Sequence, residues 1–297
     1  MAHMGRNFPA GVVFFGVFLA LAALAFGQGT VPVTADDLGQ FTWRSIGPWP
    51  FSGRITNFAV PRGQSQSYYV LTATGGLWKT IDGGIHFESL FDKYGTMSMG
   101  FMAIAPSDQN ILYLGTGEPI HARAAYHGNG MWKSVDAGKT WTHIGLDNSF
   151  YIPKVEVDAK NPDIVYAAAE GKLYDNERDS ERGLYKSMDG GKSWARVLDP
   201  GDRGVADFVI DPSNADIVVA STYRVFRRAW TFIDLQPGNF LFKSIDGGKS
   251  WKKLAAGLPD LASVETGRNG LAMYEKNPKI VYIRMDEVVD LGLSERE

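Results

Sequence analysis

The residues best suited to ligand chemistry lie in one long loop and near the starts of two predicted strands. The loop between Gly117 and Asn129 contains a carboxylate, an arginine and two histidines. Guanidinium groups bind anionic ligands, and a carboxylate with imidazoles can hold a divalent cation. The irregular spacing favours a polar loop over a metal site, so the sequence predicts no metal and no cofactor. The candidate ligand-binding residues are Arg54, Glu118, His121, Arg123 and Arg268.

No catalytic set is recognisable in the sequence. Cysteine is absent, which removes thiol nucleophiles and thiolate metal sites. The nucleophile-elbow, phosphate-loop and zinc-protease motifs are also missing. Glycoside hydrolysis needs two opposed carboxylates, and Glu118 and Asp207 are the residues whose mutation would test for such a role. The sequence therefore predicts no catalytic residue and favours a non-enzymatic protein, while leaving activity open.

A second candidate site is an arginine- and aromatic-rich segment from Tyr223 to Phe232. Tyrosine, tryptophan and arginine are enriched at the energetic centres of protein interfaces. The alternative is that these side chains pack against the rest of the fold. The candidate interface residues are Tyr223, Arg224, Phe226, Arg227, Arg228, Trp230 and Phe232.

Composition limits the class of protein. The 297 residues include 33 acidic and 30 basic side chains, a net charge of −3. A nucleic-acid-binding protein would show a basic excess, so no nucleic-acid partner is expected. The hydrophobic content of 44% is that of a globular protein, and the 34 glycines suit a fold with many turns.

The N-terminus carries a hydrophobic segment. No charged side chain occurs from Asn7 to Ala35, and Phe8 to Gly27 is long enough for a helix that crosses a membrane. Residues 1–28 are therefore predicted to be a signal peptide or an uncleaved transmembrane anchor. Residues 29–40 form a linker, and 41–297 form the globular domain. Arg6 before the segment places that domain outside the cytoplasm, on the periplasmic side, anchored to the inner membrane or secreted.

A motif of the form Ser/Thr-x-Asp-x-Gly-x-x-Trp/Phe occurs four times, with aspartates 54, 53 and 57 residues apart. An aspartate can accept backbone N–H groups across a hairpin, and the glycine permits a left-handed conformation. We therefore predict a structural role for each copy. The residues are Asp82, Gly84, Phe87, Asp136, Gly138, Trp141, Asp189, Gly191, Trp194, Asp246, Gly248 and Trp251.

Each repeat predicts four short antiparallel strands, the size of a β-propeller blade. The predicted fold is all-β, with four complete blades at about 55–92, 99–146, 153–198 and 204–255 and a partial fifth. Phe41 to Ile46 could complete the fifth blade and close a five-bladed ring. The alternative is an open edge covered by a partner.

From about Phe41 to Ile283 the chain resembles the sortilin/VPS10-like and BNR (Asp-box) repeat β-propellers of bacteria. Besides the four boxes, the resemblance includes Ser52–Ile55, Gly115–Pro119 and Arg227–Phe232. Members of this group are often labelled glycosyl hydrolases because sialidases and xyloglucanases share the repeat. The resemblance implies a propeller fold, whereas fold alone does not fix function.

Three functions remain open. The first is a non-catalytic exported propeller that acts as an interaction or scaffold subunit of a membrane or extracytoplasmic complex, with protein partners. It would also contact the membrane through residues 8–27 if the leader is retained. The second is a secreted glycoside hydrolase-like protein that acts on carbohydrate. The third is a sortilin-type receptor for peptides or other ligands.

Overall fold

A computed structural model describes residues 34, 53–120, 125–173, 180–228 and 230–286. The predicted leader, most of the linker and Phe41–Ile46 lie outside the described residues. All described strands belong to one compact unit, Pro48–Glu297. Within the described part of the chain no helix has the length and apolar character needed to span a membrane.

The described residues form an all-β structure, as predicted. Sheet 1 contains Ile55–Ala59 (β1), Tyr68–Thr72 (β2), Leu77–Thr80 (β3) and Glu88–Ser89 (β4). Sheet 2 contains Met99–Ile104 (β5), Leu112–Thr116 (β6), Met131–Ser134 (β7) and Thr142–His143 (β8). Sheet 3 contains Lys154–Val157 (β9), Val165–Ala169 (β10), Gly183–Ser187 (β11) and Ala195–Leu198 (β12).

Sheet 4 has the same plan with one insertion. Its strands are Gly204–Asp211 (β13), Asn214–Tyr223 (β14), Leu241–Ser244 (β17) and Lys252–Lys253 (β18). Between β14 and β17 lies a separate hairpin of Phe226–Arg228 (β15) and Thr231–Ile233 (β16). A final antiparallel pair consists of Gly270–Met273 (β19) and Val281–Arg284 (β20).

Each four-stranded sheet falls within one predicted blade range, and its strands pair in chain order. The first strands of successive sheets lie side by side, since β1 contacts β5, β5 contacts β9, β9 contacts β13, and β13 contacts β19. These first strands are called the inner strands below. The number of blades in the complete ring stays a prediction.

The hydrophobic core lies between consecutive sheets. Strands β6 and β10 are buried along their whole length because a neighbouring sheet covers each face. Leu71 of sheet 1 packs in one cluster with Met99 and Leu114 of sheet 2. Corresponding clusters join sheet 2 to sheet 3 and sheet 3 to sheet 4. The apolar runs of the repeat therefore stabilise contacts between sheets as well as within them.

The repeated aspartates stabilise the hairpin between the third and fourth strands of each sheet. In sheet 2, Asp136 accepts the backbone N–H of Thr140 at 2.9 Å and the hydroxyl of Ser134 at 2.8 Å. The Thr140 hydroxyl also donates to Asp136. This side-chain hydrogen bond is the main cause that lowers the pKa of Asp136 to about 2, and the other two add to it. Gly138 has φ of +90°, a conformation that favours glycine.

The other three copies repeat this arrangement. Asp189 and Asp246 accept the N–H groups of Ser193 and Ser250 at 2.9 Å, and Asp82 accepts that of His86 at 2.9 Å. The remaining box glycines also have positive φ: Gly84, Gly191 and Gly248. The hydrogen-bonding capacity of each box aspartate is thus satisfied within its own turn.

The aromatic residue of each box packs onto a sheet. The indole N–H of Trp141 donates to Gly138, within its own box, at 3.0 Å. Trp194 donates to Ile144 in the preceding sheet, and Trp251 likewise to Val197, both at 2.7 Å. Phe87 has no donor, and its ring contacts that of Tyr68 edge-on. Two of the box tryptophans therefore also link sheets.

Candidate functional site

Arg54 and Glu118 form an ion pair between sheets 1 and 2. Arg54 Nε donates to Glu118 Oε1 at 2.7 Å, and Nη2 donates to the same oxygen. Glu118 is completely buried, whereas 48% of the Arg54 side chain is exposed. Within the described part of the chain, Glu118 Oε2 is buried without a hydrogen-bond partner. The pair therefore joins a half-exposed arginine side chain to a buried carboxylate.

Glycines on both sides make this pairing possible. Gly117, directly before Glu118, has φ of +92°, and a Cβ there would lie 2.0 Å from the carbonyl oxygen of Phe150. Gly53, directly before Arg54, has φ of +88°. Only glycine tolerates such close approach with a left-handed backbone. Two of the segments that the sequence analysis singled out thus shape one site.

Arg268 lies beside this pair. Its Nη1 donates to the carbonyl oxygen of Pro119, which follows Glu118 in the chain, and its Nη2 donates to that of Ala206 at 3.1 Å. The same Nη2 is 3.8 Å from Glu170 Oε1. Arg268 therefore ties the segments after β6 and β10 to β13. We call Arg54, Glu118, Glu170 and Arg268 the axial cluster.

The structure thus brings together three of the five candidate ligand-binding residues: Arg54, Glu118 and Arg268. His121 and Arg123 lie outside the described residues. Glu170, which directly follows β10, was not among the candidates. The described residues contain no group of three or more histidine, cysteine and acidic side chains that could hold a metal ion.

A second charged group lies on the inner strands. Lys154 Nζ is 3.2 Å from Asp207 Oδ1 and 3.5 Å from Glu156 Oε1. Glu156 Oε2 accepts the backbone N–H of Ile210, and Asp207 Oδ2 accepts that of Leu271 at 2.8 Å. These side chains therefore link sheet 3 to sheet 4 and sheet 4 to β19. Asp207 was considered from the sequence alone, whereas its partners Lys154 and Leu271 were not predicted.

Burial controls the ionisation of this group. It raises the pKa of Glu156 to about 7, although Lys154 favours the charged form. Burial also opposes the charge of Lys154, but the carboxylates of Asp207 and Glu156 outweigh it and raise the Lys154 pKa. A cavity of about 420 Å³ adjoins the group, lined by residues of β5, β9, β13 and β19.

The candidate interface divides into a buried and an exposed part. Tyr223 is buried at the end of β14 and packs with Tyr151, and burial raises its pKa. Arg224 forms an ion pair with Asp202 at 2.6 Å. In contrast, Trp230 is 78% exposed, and Phe232 is also exposed. Tyr223 therefore belongs to the core, and the accessible part is the β15–β16 hairpin.

No protein-family model matches the chain. Among curated proteins, a xyloglucanase of a Paenibacillus species is 32% identical over 266 residues, covering 78% of this chain and 24% of that protein. The xyloglucanase Xgh74A of Acetivibrio thermocellus is 30% identical over 144 residues, covering 41% of this chain and 16% of that protein. The chain thus spans a quarter or less of the length of these relatives.

Solved structures of GH74 enzymes resemble the chain in fold. An ancestral GH74 enzyme aligns with a TM-score of 0.57 and 17% identity, covering 76% of this chain and 28% of its own. The GH74 enzyme of Niastella koreensis aligns with a TM-score of 0.57 and 20% identity, covering 77% and 34%. The chain has a β-propeller fold.

The similarities favour the glycoside hydrolase-like alternative over the scaffold hypothesis, and the sortilin-type relationship stays a prediction.

Proposed function

We propose that this chain is a propeller module of an extracytoplasmic, glycoside hydrolase-like protein and binds a β-glucan of the xyloglucan type. The supporting observation is the 32% identity to a xyloglucanase across 78% of the chain. Export follows from the hydrophobic N-terminal segment and from the substrate, since a plant polysaccharide is met outside the cytoplasm. The proposal allows for both a cleaved signal peptide and a retained membrane anchor.

The glucan would bind on the face that carries the axial cluster. This face bears the loops between the second and third strands of each sheet, where the chain has its long insertions. Sugar rings stack on exposed aromatic side chains and exchange hydrogen bonds with polar groups. Tyr126 is 51% exposed in one of these loops, and its carbonyl oxygen accepts the N–H of Glu118 at 2.9 Å. An exposed aromatic side chain thus lies in the loop whose backbone holds Glu118, the partner of Arg54.

The contacts of three carboxylates, Glu118, Asp207 and Glu156, favour binding over cleavage. Hydrolysis needs one acid and one base or nucleophile on opposite sides of the bond. Glu118 is buried against Arg54, and Asp207 is held by Lys154 and two backbone N–H groups. Glu156 has a pKa suited to a general acid, but it bonds to Ile210 and shares Lys154 with Asp207. We therefore assign glucan binding to this module and no catalytic step to these three carboxylates.

The test measures binding of the full chain to xyloglucan, mixed-linkage glucan and dextran by isothermal titration calorimetry. The Y126A variant should weaken xyloglucan binding about tenfold. The matched control is Y274A, because Tyr274 is 44% exposed in the turn between β19 and β20, at the opposite face. Absence of binding to every glucan, with folded protein, contradicts the proposal. Release of reducing sugars would contradict the assignment of binding alone.

A further inference from the structure

The β15–β16 hairpin is a fixed platform. Its two strands form a separate sheet, in which Arg227 is paired with Phe232. The backbone N–H of Arg227 donates to Leu173 at 2.9 Å. The ion pair between Arg224 and Asp202 secures the segment that leads into β15. The base of the hairpin is thus held by the rest of the domain while its tip remains accessible.

One face of the hairpin, with Trp230 at the turn, combines aromatic and cationic groups. The Arg228 guanidinium lies 5.0 Å from the centre of the Phe226 ring and 5.7 Å from that of Trp230. Trp230 is the most exposed large hydrophobic side chain of the described residues, and Ile233 is 44% exposed. Stacking on two rings restricts the guanidinium, so less conformational entropy is lost when it binds.

The charge of Arg228 is not balanced within the described structure. Its contacts there are with the two rings, and no carboxylate lies within ion-pair distance. Arg203 and Arg224 in contrast both pair with Asp202. From Tyr223 to Ile233 the sequence contains three arginines and no acidic residue.

We propose that the surface of the β15–β16 hairpin formed by Phe226, Arg228, Trp230 and Ile233 is a docking surface for an acidic, extended segment of a partner protein. A carboxylate of the segment would receive the planar guanidinium of Arg228, with two parallel hydrogen bonds. An adjacent apolar side chain of the segment would pack on Trp230 and Ile233. Charge complementarity supplies the specificity, and the exposed aromatic supplies most of the affinity.

This proposal goes beyond glucan binding and does not depend on it. A neutral glucan offers no carboxylate and would leave the Arg228 charge unbalanced. The glucan proposal is tested at Tyr126, in a different loop. Either proposal can therefore fail while the other holds.

The experiment uses the full chain and an array of twelve-residue peptides that each combine acidic with aliphatic or aromatic residues. Each acidic peptide is paired with its Asn/Gln counterpart. Binding is measured by fluorescence anisotropy at low and high salt for the wild type, R228Q and W230A. The matched control is R284Q, because Arg284 is an exposed arginine that already pairs with Asp286 at 2.8 Å. An anionic polysaccharide and vesicles of phosphatidylglycerol are assayed in parallel.

We expect acidic peptides to bind in a salt-dependent manner and their Asn/Gln counterparts to bind at least tenfold more weakly. R228Q and W230A should each reduce acidic-peptide affinity about tenfold, and R284Q should leave it unchanged. Equal binding of charged and neutral peptides overturns the proposal, as does binding that neither hairpin variant affects. Preference for the polysaccharide or the vesicles at the same residues also overturns it, since the partner would then be of another class.

Discussion

Glu156 on β9 accepts a hydrogen bond from the backbone N–H of Ile210 on β13, at 3.1 Å. A side chain of one inner strand thus satisfies a main-chain donor of the next sheet. Asp207 does the same for Leu271 on β19. The described inner strands of neighbouring sheets do not pair through their backbones. These two carboxylates therefore supply hydrogen bonds between the sheets.

The first prediction concerns the pH dependence of this link. The pKa of Glu156 is raised to about 7, so the folded state holds its proton at pH values where the unfolded chain has lost it. Its contribution to stability is complete below pH 4.5 and is lost as the pH rises through 7. The E156Q variant mimics the protonated form, so it should match the wild type at pH 5 and be more stable at pH 8. The gain should be on the order of 1–3 kcal/mol.

Urea denaturation of both proteins at pH 5 and pH 8 checks this prediction. Other titrating groups cancel because the variant is compared with the wild type at each pH. The control is E275Q, which changes an exposed glutamate at the rim of the same cavity. A constant difference between E156Q and the wild type at the two pH values would show that Glu156 does not titrate in this range.

The second prediction concerns a hydrogen bond between sheets 3 and 4. The hydroxyl of Tyr166 donates to the carbonyl oxygen of Ala215 in sheet 4 at 3.1 Å, and Lys186 Nζ lies 5.0 Å from the centre of the Tyr166 ring. Removing a buried hydrogen bond of this type costs about 1–2 kcal/mol. Y166F should therefore lower the free energy of unfolding by that amount. Y282F is the control, because Tyr282 is 64% exposed, and it should have no effect.

The third prediction concerns the Asp box. Hydrogen bonds hold the pKa of Asp136 at about 2, so its stabilising effect is present above pH 4 and is lost as the pH falls toward 2. D136N should lower the melting temperature by several degrees at pH 6, and the difference from the wild type should shrink toward pH 2. Thermal denaturation followed by circular dichroism measures it. D108N in the turn before β6 serves as a control for loss of an ordinary turn-capping aspartate.

The fourth prediction concerns the axial cluster. Removing the guanidinium in R54A leaves the buried Glu118 carboxylate without its charge partner, which should cost about 3–5 kcal/mol in the free energy of unfolding. Adding E118Q to R54A should recover part of that loss, because the neutral amide is easier to bury. Chemical denaturation of both single variants and the double variant gives the coupling energy. Additive effects would show that the pair does not interact in solution.

The sequence repeat made much of the fold predictable. The spacing of the Asp boxes placed the four sheets, because each box fixes its own hairpin through contacts within four residues. The box glycines could be assigned to left-handed turns on the same local grounds. Closure of the ring could not be derived this way, since it depends on segments that no local motif specifies.

The candidate sites were less predictable. The spacing of Tyr223 to Phe232 did not separate the buried Tyr223 from the exposed Trp230, because exposure depends on the packing around Tyr151 and Leu173. The link from Lys154 to Asp207 was missed because its residues belong to different sheets. A signal was nevertheless present, since Lys154 and Glu156 alternate as charged residues on a strand expected to be apolar.

The sequence by itself determined the repeat, the all-β character and the local chemistry of each turn, since these depend on residues close together in the chain. The tertiary structure alone decided which charged groups meet. Arg54 and Glu118 are separated by 64 residues, and Arg268 and Pro119 by 149. Such contacts form only when sheets pack around shared inner strands, so their partners follow from the arrangement of the sheets and not from any local pattern.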